Sequence, residues 1–194
     1  DISEEWIEEV RSRQPELRTE KLIRYKEEFD IPEYDAEILT GSKQMADLFE
    51  AATALCGRPK KVSNWLMVET MRLLKENGQE PEDLKFSPEH LAKLVDLADA
   101  GTINSTVAKE VFEHIFYEDI DPEAYVEEKG LKTVNDEGAL RETVERVIAA
   151  NPQSVADYKG GKEKALGFLV GQTMKEMKGK ANPGMVNQIL KELL

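Results

Sequence analysis

Apolar residues recur along this chain every three or four positions, and each run is cut by proline or glycine. That pattern leaves the α-helix as almost the only element available, because alternating runs long enough for a sheet are absent. Residues 3–13 place Trp6, Ile7 and Val10 on one face before Pro15, and residues 16–29 carry Leu17, Leu22, Ile23 and Tyr25. Residues 43–56 put Met45, Leu48, Phe49 and Ala52 at helical spacing. The longest helix is predicted to open at Pro59, a favoured first-turn residue, and to stop at Asn77–Gly78. Its stripe is Val62, Trp65, Leu66, Val68 or Glu69, Met71 or Arg72, and Leu73, with Trp65 expected in the core. Ser87-Pro88-Glu89 is a helix-start signal leading through Leu91, Leu94 and Val95 to Gly101. Residues 104–116 repeat the pattern with Val107, Val111, Phe112 and Ile115. The periodicity lapses over Tyr117–Pro122, which places a boundary there. Beyond it come helices predicted at 122–129, 136–150, 152–159, 162–178 and 183–194. The expectation is an all-α chain of two consecutive helical bundles, 1–121 and 122–194.

With 194 residues, 40% hydrophobic and 34% charged, the chain can bury a real core. No apolar run reaches the roughly 20 residues that span a bilayer. Cys56 is alone, which excludes an intrachain disulfide and favours a reducing, cytoplasmic setting. A start at Asp1 without an initiator Met suggests a piece of a longer protein. No catalytic or metal constellation emerges. His90 and His114 are far apart and read as surface or capping residues. The acidic run from Asp119 has Ala124 where a calcium loop needs Gly and Gly130 where it needs Glu. Gly160-Gly161-Lys162 lacks the Ser/Thr and the upstream Gly of a phosphate loop.

Charge is the feature that points outward. The formal net charge is −13, yet residues 158–194 hold seven Lys against three Glu, while residues 1–157 hold 19 basic against 36 acidic side chains. A basic patch on an acidic body favours an anionic partner. At about 100° per residue, Lys164, Gly171, Lys175 and Lys178 fall on one helix face. Leu166, Leu169, Val170, Thr173 and Met177 fall on the opposite one. Glycine mid-helix costs about 1 kcal/mol against alanine, so Gly171 implies close approach of another backbone, either a neighbouring helix or a nucleic acid. Phe168, at the edge of the lysine stripe, either packs between helices or stacks a base. Gly179-Lys-Ala-Asn-Pro183 reads as a helix stop, an N-cap at Asn182 and Pro at the first helical position. The N–H groups opening that last helix could bind a phosphate beside Lys180. A second basic spot, Arg58-Pro-Lys60-Lys61, lies at a helix N-terminus, where positive charge opposes the dipole. No Arg follows Arg146, so any nucleic-acid contact in the basic region is predicted to follow backbone and shape rather than sequence.

These residues carry a family likeness. The run from Gly171 to Pro183, followed by Val186-Asn187 and Leu190, resembles the YqeY-like tail domain of GatB, the B subunit of the tRNA-dependent amidotransferases. The upstream half is similar to the helical domain of GatB through Pro15-Glu-Leu17, Arg24-Tyr25, Tyr34-Asp-Ala36, Leu39-Thr40 and Asn64-Trp65. Gly101-Thr-Ile103 and Ala108–Phe112 continue the likeness. The resemblance implies an enzyme that converts Glu-tRNA(Gln), and often Asp-tRNA(Asn), to the amidated form with glutamine and ATP. It implies that activation and amide transfer belong to a cradle domain absent from this chain, and glutamine hydrolysis to the amidase (A) subunit. Residues 1–121 would then be the helical domain and 122–194 the tail, gripping tRNA without an active site, metal or cofactor of their own. The implied contacts are Lys175, Lys178 and Lys180, with Gly171 and Gly179 permitting approach, then Lys162 and Lys164, then Lys60 and Lys61. The implied partners are tRNA(Gln), tRNA(Asn) where the parent enzyme serves it, and the A and C subunits of the amidotransferase, with no membrane or DNA. The alternatives are a tail of the archaeal E-type amidotransferase, or an acidic docking module for proteins.

Overall fold

A computed structural model describes residues 4–5 and 16–194. The helix expected over 3–13, with Trp6, Ile7 and Val10, falls outside the described residues apart from Glu4 and Glu5. The described residues form no strand, and the one β-bridge among them, Val134 to Ala181, is isolated. The protein is all-α. It divides into two compact units, Asp1–Glu89 and His90–Leu194.

In the first unit, α1 (Arg18–Glu28), α2 (Glu33–Thr40) and α3 (Lys43–Cys56) pack in sequence. Tyr25, wholly buried, meets Phe49 at 4.8 Å and Phe29 at 5.7 Å between ring centroids. The Tyr25 hydroxyl donates to Glu50 at 2.8 Å, and Arg24 grips Glu16 through two nitrogens at 2.9 and 2.7 Å while also bonding Glu50. Burial, and then the Glu50 carboxylate, push the Tyr25 phenol upward, and the Arg24 bond holds the Glu16 carboxyl below its ordinary range. The Arg24-Tyr25 pair therefore ties α1 to α3. Periodicity does not predict α2. It is eight residues long and buries only Ala36, Leu39 and Thr40, too short a stripe to stand out.

The helix that opens at Pro59 is not uniform. It consists of α4 (Pro59–Asn64), a π-helical stretch Trp65–Thr70, and α5 (Met71–Glu76). Trp65 is half-buried rather than a core residue; the fully enclosed side chains are Val62, Leu66 and Thr70. The wider π turn shifts the face register, so Glu69 is buried and reaches Arg72 at 2.9 Å while Val68 is exposed. A short 3₁₀ turn, Pro81–Asp83, follows.

The second unit contains the body of α6 (Pro88–Asp99), then α7 (Ser105–Glu118) and α8 (Pro122–Lys129). The acidic residues between α7 and α8 have local partners. Asp119 Oδ1 lies 2.7 Å from His90 Nδ1, and Asp121 takes Lys93 at 3.0 Å while capping α8 through the amides of Glu123 and Ala124. His114 pairs with Glu118 at 2.9 Å and stacks near Tyr125. The remaining helices are α9 (Glu137–Ala150), α10 (Pro152–Lys159), α11 (Lys164–Glu176) and α12 (Pro183–Leu193). They share a core of Leu140, Val144, Val147, Leu169, Val186, Ile189 and Leu190. Arg141 bridges Glu192 at 2.8 Å and so links α9 to α12.

Candidate nucleic-acid interface

The helix α11 sorts its residues by face. Leu169 and Thr173 are buried, Leu166, Val170 and Met177 are half-buried, and Lys164 and Lys175 are exposed, with exposed Lys178 just past the last turn. Lys162 is exposed in the loop before it. Among the described residues, Lys164, Lys175, Lys178 and Lys180 make no ion pair, whereas Lys162 has Asp157 at 4.0 Å. Glu176, the carboxylate beside Lys175, is engaged by Arg146 at 3.1 Å.

The glycines resolve one alternative. A Cβ placed on Gly171 would meet nothing within 4 Å, and the same holds at Gly167 one turn earlier. No neighbouring helix among the described residues explains Gly171, which is exposed. Phe168 is 47% exposed, so its ring is not packed between helices either. Lys164, Gly167, Phe168, Gly171 and Lys175 thus form one open surface, flat at its glycines and cationic at both ends.

The end of α11 differs from the sequence reading. The left-handed residue that stops the helix is Lys178 (φ 55°), followed by Gly179 at φ 74°. Gly179 N–H donates to Met174 O at 2.8 Å and Lys178 N–H to Lys175 O at 3.1 Å, the paired bonds of a Schellman turn. A lysine in the position glycine normally fills carries about 1 kcal/mol of backbone strain. Lys178→Gly is therefore expected to stabilise the second unit by about 0.5–1 kcal/mol in urea unfolding. The same variant, if Lys178 contacts RNA, binds RNA less well; stability and affinity move in opposite directions.

The turn 178–182 is fastened on two sides. Lys180 O accepts from Val134 N–H at 2.7 Å, and Asn182 Nδ2 reaches Asn135 Oδ1 at 3.3 Å. Asn104 caps α7 by accepting from Val107 N–H at 2.9 Å and, through its Nδ2, bonds Gly179 O. Thr133 N–H donates to Thr102 O at 2.8 Å, joining the two supporting loops. Asn182 Oδ1 takes the amides of Gly184 and Met185 at 3.0 and 3.3 Å. Those N–H groups are consequently not free, which removes the phosphate site expected at the start of α12. Lys180 stands half-buried beside this turn.

Lys60 and Lys61 belong to the first unit. Lys60 forms an ion pair with Asp30 at 2.8 Å, and the Lys60 ammonium holds the Asp30 carboxyl below its ordinary value. The charge set against the α4 dipole is thus partly neutralised within the fold. Lys61 is exposed and, among the described residues, unpaired.

The GatB domain model matches residues 47–194, three quarters of the chain and all of the basic surface. This chain belongs to the GatB domain family. Its GatB relatives include the B subunit of the aspartyl/glutamyl-tRNA(Asn/Gln) amidotransferase of Agathobacter rectalis, 70% identical over 193 residues. Proteins of the same name from Lachnoclostridium phytofermentans and Caldanaerobacter subterraneus are 61% and 50% identical. Each match takes in the whole of this chain, which spans 41% of the length of those relatives. Among the described residues of this GatB chain, no group of three or more His, Cys, Asp or Glu side chains is arranged to hold a metal ion. No helix among them is long and apolar enough to cross a membrane.

Periodicity alone could not reveal Asn104, Val134 and Asn135 as supports of the basic turn. The Asn-Ser-Thr start of α7 signals a cap, but the bond from that cap to Gly179 crosses 75 residues and leaves no local trace.

Proposed function

We propose that this chain is the tRNA-gripping region of the GatB subunit of an aspartyl/glutamyl-tRNA amidotransferase, with residues 1–121 acting as its helical domain and 122–194 as its tail, a functional division that falls inside the second compact unit rather than at its start. The observation that carries this reading is the open face of α11. Lys164 and Lys175, with Lys178 and Lys180 beyond, present ammonium groups unpaired among the described residues, beside two glycines that no described residue covers. Four flexible point charges suit a phosphate backbone, and the bare glycines let that backbone come close. The chain holds the tRNA body so that the charged acceptor end reaches a cradle domain outside it. Activation by ATP, amide transfer and glutamine hydrolysis take place elsewhere in the parent enzyme, and this region has no active site or cofactor of its own. Lys162, and then Lys60 and Lys61, are secondary contacts; Gly179, at φ 74° and with its Cβ position 3.9 Å from the Thr106 methyl, serves approach through the path it gives the basic turn. The parent GatB meets the A and C subunits through the part of it outside this chain and works in the cytoplasm.

The test is a titration of the chain against tRNA(Gln) and a non-cognate tRNA across about 50–200 mM salt. Four phosphate contacts, one for each of Lys164, Lys175, Lys178 and Lys180, predict a loss of roughly 150-fold in affinity over that range. If no binding is measurable at the low-salt end, the tRNA reading fails. A protein-docking role is favoured by a separate observation in the first unit. Leu17, Ile23, Tyr34, Leu55 and Val68 are all more than half exposed there, on the more acidic part of the chain.

A further inference from the structure

Beside the lysine face, an open groove of about 360 Å³ runs between the C-terminal end of α9 and α11. Val147 and Ala150 contribute apolar surface, and Asn151, Gln172, Lys175 and Glu176 complete the lining. The volume lies at the lower end of what holds small organic ligands. The Gln172 side-chain amide is half-buried and has no partner among the described residues. Asn151 donates its Nδ2 to Val147 O at 2.8 Å, and its carbonyl oxygen accepts no bond among the described residues. Glu176, the one carboxylate lining the groove, is drawn toward Arg146, which lessens its repulsion of an anion.

Phe168, Gln172 and Lys175 stand at i, i+4 and i+7 of α11, so they share one face of that helix: Gln172 and Lys175 line the groove, and Phe168 stands one turn before Gln172, next to it rather than in its lining. That face carries in order an exposed ring, then an amide and a cation that have no partner among the described residues. Each answers a different part of a nucleotide: the face of the base, its polar edge and its phosphate. A bare carbonyl oxygen across the groove adds a second edge contact.

We propose that this groove takes a single unpaired nucleobase of the bound RNA. Phe168 stacks on the base, the Gln172 and Asn151 amides bond its edge, and Lys175 holds its phosphate. The base that a side-chain amide pairs with through two bonds is adenine, so adenine is the preferred occupant. The inference rests on the RNA reading above and adds to it a base-reading element that lysines alone cannot provide.

The experiment measures binding of the full chain to tRNA(Gln), to a fluorescein-labelled oligoadenylate and to an oligouridylate of equal length, over a salt series. Phe168→Ala is expected to weaken tRNA and oligoadenylate binding about tenfold with the salt slope unchanged, because stacking releases no counterions. Gln172→Ala should erase the preference for oligoadenylate over oligouridylate. Lys175→Ala should instead reduce the salt slope by about one unit. Phe168→Trp should retain affinity, and its added fluorescence should be quenched on binding, which a merely structural ring would not show. Phe168 and Gln172 lie outside the tail core, and thermal melting of each variant verifies that the fold is intact. If Phe168→Ala and Gln172→Ala bind like the parent while Lys175→Ala is weakened, the groove is overturned and the lysine surface stands. If the parent chain binds none of the three RNAs at low salt, the RNA reading falls and the groove falls with it.

Discussion

Replacing Lys175, Lys178 and Lys180 together with alanine is expected to lower the affinity for tRNA(Gln) about a hundredfold at low salt, and to flatten the salt dependence by about two to three units. Both parts of that result matter. A loss of affinity alone could come from damaged structure, but a flatter slope counts the phosphate contacts that have gone. None of the three ammonium groups has a partner among the described residues, so their removal leaves no buried charge stranded. Lys175 and Lys178 are exposed, and exposed substitutions of this kind usually change stability by less than about 0.5 kcal/mol. The variant should therefore melt close to the parent chain. Filter binding or fluorescence anisotropy across a salt series reads the outcome, and unchanged affinity at low salt would remove the case for these lysines.

The second large effect lies on the other side of the same helix. Leu169→Ala is expected to destabilise α9–α12 by about 2–5 kcal/mol, since the side chain is fully enclosed by the tail core and its loss leaves a cavity. Small cores of this size have little stability in reserve, so that cost should unfold a large share of the tail near physiological temperature. Urea unfolding measures the loss, and hydrogen exchange should locate it in α9–α12 while α1–α3 keep their protection. RNA affinity should fall as well, although every lysine is still present, because the cationic face exists only when α11 is packed. Leu169→Met, which nearly conserves volume, should cost less than about 1.5 kcal/mol and restore binding. If Leu169→Ala leaves α9–α12 as stable as before, the core described for the tail is wrong.

Most helix starts were legible because their signals are local. Pro59, Pro88, Pro122, Pro152 and Pro183 each open a helix at its first position, and Asn182 caps α12 through its side-chain oxygen as expected; Asp121 and Asp136 do the same for α8 and α9. Faces were legible too: the wheel that set Lys164 and Lys175 against Leu169 and Thr173 matches the burial on α11. What could not be read depended on distant partners. The π turn at Trp65–Thr70 has no composition of its own, and Trp65 at its start is half-buried where a core position was expected. Glycine in a helix signals that something needs room, but only the packed helices show that no atom of the described residues occupies the space over Gly171. Lys178 took the left-handed position expected of Gly179 because the Schellman bonds fix the stop one residue earlier.

Asn104 gives the second unit an order of assembly. Its bond to Gly179 joins residues 75 apart, and the contact of Asn135 with Asn182 joins residues 47 apart. Closing such loops costs chain entropy that helix formation within α7, α11 or α12 does not, so contacts of this range form after local ones. Residues 178–182 therefore reach their final path only once the loops at 102–104 and 133–135 are in place to receive them. A chain that grips RNA through this turn would be one that has finished folding, and half-folded copies would compete poorly for the same substrate.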